Sequence, residues 1–227
     1  MKIGIYGGTF NPIHRGHLTA ARAAMDALGL DRLLLIPASI PPHKALPEGG
    51  ADAAQRLEMA TLATAELSCP AQVLDVEVRR QGKSYTADTL RTLRRQYPED
   101  ELWLLMGTDM FLSLQDWREP QEILRLARVA AFSRTGDPEQ QRFARQKAYL
   151  EETFGAQVTV VENPHVVDIS STRLRQLLPE GREYLPEAVY GYILRQRLYG
   201  THAELKHLTP EELRPIPELF KAQADAP

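Results

Sequence analysis

The sequence predicts an α/β fold in which a doubly wound parallel sheet carries helices on both faces. Short apolar runs alternate with helix-length segments nearly throughout the chain. Helical segments of roughly 10 to 15 residues between strands are typical of crossovers that join parallel strands. Glycine and proline stand where such helices begin or end. In sheets of this kind ligands bind beyond the carboxyl ends of the strands, so functional residues are expected directly after the strands.

Short apolar runs predict six strands. They are Lys2–Tyr6, Arg32–Ile36, Gln72–Val78, Glu101–Met106, Arg128–Ser133 and Gln157–Val161. Five helices are predicted between them. They are Arg15–Leu28, Ala51–Leu67, Thr86–Gln96, Glu119–Leu126 and Pro138–Phe154. Gly29 ends the first helix, Pro70 follows the second, and Gly136 and Pro138 open the last.

The length of 227 residues allows one domain with an appendage. We expect the domain over residues 1–199 and a C-terminal tail over residues 200–227, because the pattern there turns polar and then rich in alanine and aspartate. The tail is expected to be a short or loosely packed helix. We assign it no chemistry.

The composition argues against several classes of protein. A formal net charge of −3 gives no electrostatic reason to expect a nucleic-acid partner. The single cysteine, Cys69, excludes an internal disulfide and a cysteine-based metal site, and favours a reducing, cytoplasmic location. No run reaches the roughly 18 apolar residues of a membrane span, and the chain starts in a strand rather than in a leader peptide. We therefore expect a soluble protein; its oligomeric state stays open, a homo-oligomer included.

The most informative segment is GGTFNPIHRGH, which occupies residues 7–17 directly after the first strand. The glycine pair, Gly7 and Gly8, allows a sharp turn and leaves no side chain to exclude a ligand. A helix is predicted to begin within residues 12–15, with His14 and His17 on one face of its first turn. Unpaired N–H groups and the positive dipole end attract anions there, so the arrangement suits a polyphosphate.

Other interpretations of this segment are weaker. A single histidine near a helix start is usually a solvated surface group or a satisfied core group, whereas a pair three positions apart behind a strand and two glycines favours binding. The patterns G-x-G-x-x-G and G-x-x-x-x-G-K-[ST] are both absent. Dinucleotide-dependent oxidoreductases and P-loop proteins therefore lose support.

A second segment, ISSTRLR at residues 169–175, has two interpretations. Ser171 or Thr172 caps a helix and the arginines are solvated, or a second helix start offers N–H groups, hydroxyls and a guanidinium to phosphates. The first motif favours the phosphate interpretation.

Three further segments also allow a structural and a functional interpretation. PASIPPHK at residues 37–44 is a stiff surface loop, or a loop that presents Lys44 to an anion. SYTADTL at residues 84–90 is a plain capped helix, with Thr86 as the cap, or an anion site at a helix start. MGTDMF at residues 106–111 is a polar turn in which Asp109 can accept ribose hydroxyls. Trp117, at helical spacing from Leu114, is a core residue or a flat surface for an electron-poor ring.

These segments together resemble a known family. GGTFNPIHRGH resembles the G-G-[ST]-F-[DN]-P-x-H-x-G-H signature of the nucleotidyltransferase superfamily of α/β phosphotransferases, and ISSTRLR resembles its I-S-S-T-x-[IVL]-R motif. The other three resemble P-x-x-x-P-P-H-K, S-Y-T-x-D-T and M-G-x-D-x-[LF]-x-x-L-x-x-W of bacterial nicotinate-nucleotide adenylyltransferases. The likeness covers about residues 1–199, and it implies a Rossmann-like nucleotidyltransferase fold.

The resemblance implies roles for individual residues. Catalytic roles at the transferred phosphate fall to His14, His17 and Arg175. ATP would contact Gly7, Gly8, Thr9, Phe10, Gly16, Ser170, Ser171 and Thr172. Nicotinate mononucleotide would contact His43, Lys44, Tyr85, Thr86, Asp109, Trp117 and Arg118.

The implied reaction moves AMP from ATP to nicotinate mononucleotide and yields nicotinate adenine dinucleotide and pyrophosphate, a step of NAD biosynthesis. The substrate phosphate attacks in line, without a covalent enzyme intermediate. Mg²⁺ is expected to arrive as Mg·ATP rather than in a built-in metal site. Pantetheine-phosphate adenylyltransferases, cytidylyltransferases and a non-enzymatic nucleotide sensor stay open as alternatives.

Overall fold

A six-stranded parallel sheet forms the centre of the protein. The structure, a computed structural model, describes residues 1–42, 45–47, 49–80, 82–133, 137–162 and 167–201. The strands are β1 (Lys2–Gly8), β2 (Arg32–Pro37), β3 (Ala71–Val73), β4 (Glu101–Met106), β5 (Arg128–Ser133) and β6 (Val158–Glu162). Their order across the sheet is β3-β2-β1-β4-β5-β6, and every neighbouring pair is parallel. From β1 the sheet grows toward β3 on one side and from β4 toward β6 on the other. The strand order therefore reverses between β1 and β4, and a crevice forms at such a switch point.

Helices cover both faces of the sheet, which confirms the predicted fold class. The longer helices are α1 (Arg15–Leu28), α2 (Ala53–Ala63), α4 (Thr86–Gln96), α6 (Pro120–Leu126), α7 (Asp137–Phe154), α8 (Ser171–Leu177) and α9 (Glu187–Arg195). The short helices α3 (Val76–Arg79) and α5 (Thr108–Leu112) follow β3 and β4. Single 3₁₀ turns occupy Thr64–Glu66, Leu114–Asp116 and Arg182–Tyr184.

The two faces carry separate apolar clusters because successive strand residues point to opposite sides. On β2, Leu33 and Leu35 pack with α1, α2 and α9, while Leu34 and Ile36 pack with α4, α6 and α7. All four leucine and isoleucine side chains are buried. Near-continuous apolar strands of this kind are typical of a parallel sheet covered on both faces.

The third strand is shorter than predicted. Residues 72–78 were expected as a strand, yet β3 ends at Val73 and residues 76–79 form α3. β3 is an edge strand that pairs with β2 over three positions, and Leu74 makes a last bond to the Leu35 carbonyl. The chain then turns at Asp75, whose carboxylate accepts a bond from Arg79 one turn later. A strand with one neighbour has half the ladder bonds to hold it extended.

The longer helix α9 is absent from the predicted elements. α9 is rich in tyrosine, valine and isoleucine and contains Gly191, residues of modest or poor helix propensity. Its stability comes from packing, since Val189 and Ile193 are fully buried against the α1–α2 cluster.

Within the described ranges, no helix is both long and apolar enough to cross a membrane.

Candidate active site

A cavity of about 430 Å³ opens at the carboxyl ends of the central strands. Its walls come from β1, β2 and β4 and from the segments that follow them, the place that the fold class predicts. Nine of the predicted site residues line it. They are Gly7, Gly8, Thr9, Phe10, His17, Tyr85, Thr86, Trp117 and Arg118.

The glycine pair is the end of β1 rather than a sharp turn. Gly7 and Gly8 pair with Ile36 and Pro37 of β2, and the left-handed backbone comes at Phe10, with φ 48°. A Cβ on Gly7 would meet nothing within 4 Å, so its absence leaves space in the cavity. A Cβ on Gly8 would lie 2.8 Å from the Phe10 ring, so Gly8 is required by packing.

The histidine pair occupies the start of α1, as predicted. His14 is the N-cap residue, and its backbone N–H donates to Nδ1 of His17 at 3.1 Å. An accepting Nδ1 carries no proton, so Nε2 of His17 is assigned as the N–H donor. The two ring centroids are 3.8 Å apart. The site therefore has one imidazole at the cavity wall, in a tautomer fixed by the helix start.

His14 lies behind His17, in the interior. Its side chain is 5% exposed and does not line the cavity. Burial lowers the pKa of His14 to about 4, so its imidazole is neutral at pH 7. Gly16 permits the close packing, because a Cβ there would lie 3.0 Å from His14 Nδ1 and 3.1 Å from the Val167 carbonyl.

The second phosphate motif touches the first one. Ser171 Oγ donates to the Pro12 carbonyl at 2.9 Å, and Arg175 Nη1 donates to the Asn11 carbonyl at 2.6 Å. The start of α8 is thus attached to the loop between β1 and α1. The residues of this motif do not line the cavity itself. They flank the loop between β1 and α1, which does line the cavity.

The cap of α8 is one residue earlier than predicted. Ser170 is the N-cap and accepts the Arg173 N–H at 3.2 Å, while Ser171 is the first helical residue. Thr172 is exposed and faces Arg175 Nη2 at 3.4 Å. The shift frees the Ser171 hydroxyl for its bond to Pro12.

The other end of the cavity is formed by the start of α4 and the turn before α6. Tyr85, rather than the predicted Thr86, is the N-cap of α4, and it makes no side-chain cap bond. The first N–H groups of a helix have no acceptor within it, and here they lie beside the cavity. The Arg118 guanidinium sits 4.5 Å from the centroid of the Tyr85 ring. Trp117 adds an aromatic wall.

One prediction for this end is not reproduced as a cavity contact, and another falls outside the described residues. Asp109 is exposed on α5 and does not line the cavity, whereas its neighbours Gly107 and Met110 do. The predicted turn there is the first turn of a short helix, which directs Asp109 outward. His43 and Lys44 lie outside the described residues.

Sequence reasoning assigned no individual role to four buried polar residues around the cavity. Glu77, Ser84 and Thr89 line it and are 7%, 7% and 3% exposed. Glu77 was hidden inside the run expected as the third strand. Arg56 on α2 is fully buried and donates to the carbonyls of Thr9, Ala38 and Ser39 at 2.9, 2.5 and 2.8 Å. A single arginine in a helix gives no sequence signal for such a role.

Across the described part of the chain, no group of three or more histidine, cysteine, aspartate or glutamate side chains is placed to hold a metal ion.

The chain matches a known protein family over most of its length. The family model described as cytidylyltransferase-like covers residues 5–177. A relative from Gloeobacter violaceus is 44% identical over 209 residues, which are 89% of this chain and 98% of the relative. A relative from Carboxydothermus hydrogenoformans is 39% identical over 87% of this chain and 98% of its own. Both are named probable nicotinate-nucleotide adenylyltransferases.

Solved structures share the fold. Nicotinic acid mononucleotide adenylyltransferase of Plasmodium falciparum, complexed with APC, has a TM-score of 0.67 at 16% identity. The same protein complexed with NaAD gives a TM-score of 0.67 at 17% identity. Each covers 89% of this chain and 99% of its own chain.

Proposed function

The chain belongs to the nicotinate-nucleotide adenylyltransferase family, and we propose that it moves AMP from ATP to nicotinate mononucleotide in a single in-line displacement. It is an adenylyltransferase of NAD biosynthesis. The observation that carries the proposal is one cavity with an imidazole donor at the start of α1 and a second helix start, with aromatic walls, at α4. Two anionic substrates fit such an arrangement end to end.

ATP takes the end formed by β1 and α1. The Nε2–H of His17 and the free N–H groups at the start of α1 are donors for phosphate oxygens. The backbone of residues 7–10 runs along the nucleotide, and the missing side chain at Gly7 leaves room for it. Gly16 acts indirectly, since it lets the His14 ring pack against the helix start. His14 acts with His17 at the transferred phosphate, and its backbone N–H also orients the His17 ring.

Nicotinate mononucleotide takes the end formed by α4 and the turn at residues 117–119. The amides at Tyr85 and Thr86 and near Arg118 bind the pyridine carboxylate, and Trp117 stacks on the electron-poor ring. His43 and Lys44 meet the 5′-phosphate. Asp109 accepts ribose hydroxyls from the rim of the cavity.

The displacement needs no general base. The second pKa of a phosphate monoester is near 6, so the attacking oxygen is largely anionic at neutral pH. A bond forms between that oxygen and the α-phosphorus of ATP, and the bond from the α-phosphorus to the bridging oxygen breaks as pyrophosphate leaves. The protein has to offset the repulsion between two phosphates and the charge on the leaving group.

The donors for that task lie around the loop between β1 and α1. His17 donates from the cavity wall, and Arg175 lies next to the loop, 2.6 Å from the Asn11 carbonyl. The hydroxyls of Ser170, Ser171 and Thr172 extend this side toward the outer phosphates. Preorganised donors of this kind stabilise charge that develops in the transition state.

Magnesium enters as part of the substrate, Mg·ATP. Mg²⁺ binds phosphate oxygens and water readily and needs few protein ligands. The enzyme acts in the cytoplasm, where a lone thiol such as Cys69 stays reduced.

One assay tests the function. Purified protein is incubated with Mg·ATP and nicotinate mononucleotide, and pyrophosphate release and the dinucleotide product are followed. Parallel reactions replace the mononucleotide with nicotinamide mononucleotide or phosphopantetheine, and ATP with CTP. The proposal expects turnover with ATP and nicotinate mononucleotide and a strong preference over the amide, because fixed donors for a carboxylate reject a neutral group. Faster turnover with phosphopantetheine or CTP, or nucleotide binding without any product, contradicts it.

A further inference from the structure

A buried carboxylate lies in the wall of the cavity, and no step of the adenylyl transfer uses it. Glu77, on the short helix α3, is 7% exposed and lines the cavity next to the start of α4. Carboxylates are rarely buried unless hydrogen bonds compensate the loss of water. The contacts of Glu77 therefore indicate what the carboxylate is for.

Two hydroxyl groups face the Glu77 carboxylate. Thr89 Oγ1 donates to Glu77 Oε1 at 2.6 Å, and the Ser84 hydroxyl interacts with the same carboxylate and lowers its pKa. Burial raises the pKa of Glu77, whereas these two bonds and the charge of Arg80 lower it. Burial is the largest of these effects, so the two hydroxyls and Arg80 offset the cost of burying the carboxylate only in part.

Each hydroxyl also accepts a bond from a second donor. Arg80 Nη2 donates to Thr89 Oγ1 at 2.8 Å, and the backbone N–H of Ser39 donates to Ser84 Oγ at 2.9 Å. The chain from Arg80 ends on Glu77 Oε1, and the chain from Ser39 ends at the Ser84 hydroxyl, which interacts with the same carboxylate. Chains of this kind strengthen each bond by polarising the next.

The two chains join the segments that form the mononucleotide end. Ser39 belongs to the loop after β2, which continues into Pro41 and Pro42 at the cavity wall. Ser84 stands directly before Tyr85 and Thr86, and its backbone N–H donates to the Ile40 carbonyl at 2.9 Å. Glu77 is thus the point where the loop after β2 and the start of α4 meet.

The negative charge matters for this arrangement because a carboxylate only accepts hydrogen bonds. Both hydroxyls must donate toward it, which leaves their lone pairs for Ser39 and Arg80. An amide at the same position presents one NH₂ group, and one of the two hydroxyls then has to reverse. The segment attached to that hydroxyl loses its fixed position.

We propose that Glu77 is a positioning residue that holds the loop after β2 and the start of α4 in register, and thereby sets the affinity for the mononucleotide but not for ATP. The inference rests on the proposed function, since it assigns this end of the cavity to the mononucleotide. The ATP end is formed by β1 and α1, which Glu77 does not contact through any of the bonds above.

The first test is steady-state kinetics of Glu77→Gln, which keeps size and shape and removes the charge. The KM for nicotinate mononucleotide should rise by about tenfold, the scale of one lost hydrogen bond to a charged group. The KM for ATP and kcat should change by less than about twofold. Glu99→Gln, the same change at an exposed position between α4 and β4, is the matched control and should leave all three constants unaltered.

Thr89 provides a second test should Glu77→Gln fail to fold. Thr89→Val removes the hydroxyl at nearly constant volume and should raise the mononucleotide KM as Glu77→Gln does, whereas Thr89→Ser restores the hydroxyl and should recover most of the affinity. In the double variant Glu77→Gln/Thr89→Val the effects should not add, because both changes break one chain of bonds.

The outcomes separate this inference from the function it rests on. With an active wild type, three results for Glu77→Gln overturn the role of Glu77. The two KM values change equally, the mononucleotide KM is unchanged, or only the folded fraction and kcat fall. A wild-type protein that forms no dinucleotide contradicts the proposed function, and the inference falls with it.

Discussion

His17 is the residue on which the phosphate site depends. Its Nδ1 accepts the His14 backbone N–H, so the ring is oriented before any substrate arrives and its Nε2 is the donor. A donor fixed in advance needs no reorganisation during the reaction, which makes it effective in stabilising developing charge.

Removal of this donor should slow the reaction strongly. We expect His17→Ala to lower kcat by about 10²–10³, the usual cost of one preorganised donor, measured as pyrophosphate release at saturating substrates. His17→Asn retains a side-chain acceptor near the position of Nδ1 and lacks Nε2. It should be as slow as His17→Ala but closer to the wild type in thermal stability. Near wild-type turnover of either variant contradicts the assignment.

Buried His14 should make stability depend on pH. Its pKa is about 4 in the folded protein against the ordinary 6.5, so the unfolded chain binds the extra proton between these values. The folded state is therefore fully favoured above pH 6.5 and loses stability as the pH falls toward 4. The free energy of unfolding should drop by about 2 kcal/mol from pH 7 to pH 5 through this residue alone.

Urea unfolding at both pH values measures this effect, with His14→Gln as the control. The variant should lack the part of the pH dependence that His14 causes. If the free energy of unfolding changes equally between the two pH values in both proteins, His14 protonates as easily in the folded state as in the unfolded one.

The sequence predicted residues whose role follows from a local pattern. It did not predict residues whose role depends on burial by distant parts of the chain. Spacing alone placed His14 and His17 at one helix start, as observed. It did not show that His14 is interior, because burial there involves residues distant in sequence, such as Val167, whose carbonyl lies beside Gly16 together with the His14 ring. Arg56 and Glu77 gave no signal for the same reason: their partners lie on other elements.

Among the helices and strands, the strands with long buried apolar runs were predictable, whereas the short edge strand β3 and the helix α9 were not. β1, β2 and β4 appear within two residues of their predicted ends because buried apolar runs have few alternatives. The edge strand β3 is short, and α9 depends on packing rather than propensity. The site is built at the well-predicted centre, which is why most cavity motifs were recognised.

Arg56 connects helix α2 to both loops of the site. Its guanidinium spans the carbonyls of Thr9, Ala38 and Ser39, and a planar fork of donors suits this task better than a point charge. We expect Arg56→Lys to lower the free energy of unfolding by about 3 kcal/mol, because buried carbonyls lose a charged donor. Chemical denaturation measures the change.

The matched control is Arg95→Lys, on the exposed face of α4, which should shift stability by less than about 0.5 kcal/mol. A similar small shift for Arg56→Lys would mean that the loops hold their positions without the guanidinium. In that case α2 has no part in shaping the site.

For the molecule as a whole, the fold and the family followed from motif order along the chain, whereas the division into domain and tail remains a prediction. Tyr199 donates to Asn11 Oδ1 at 2.5 Å, and Thr201 is buried. Tyr199 therefore contributes to the loop beside His17. Thr201 is buried although the predicted boundary falls at residue 199.

A shortened chain tests this boundary. A protein that ends after residue 201 should keep kcat and both KM values within about twofold of the full chain, because the contacts of Tyr199 remain and no chemistry is assigned to residues 202–227. One that ends after residue 198 loses the Tyr199 bond and should lose stability by about 1 kcal/mol or more. A large fall in kcat for the protein that ends after residue 201 would assign a function to residues 202–227.

The central claim, that one cavity binds two phosphate-bearing substrates end to end, is tested most directly by a crystal structure with a non-hydrolysable ATP analogue and nicotinate mononucleotide. The triphosphate should lie at the start of α1 within hydrogen-bond distance of His17 Nε2, with the pyridine ring between Thr86 and Trp117. A triphosphate bound away from His17, or a pyridine ring outside the cavity, would contradict the account.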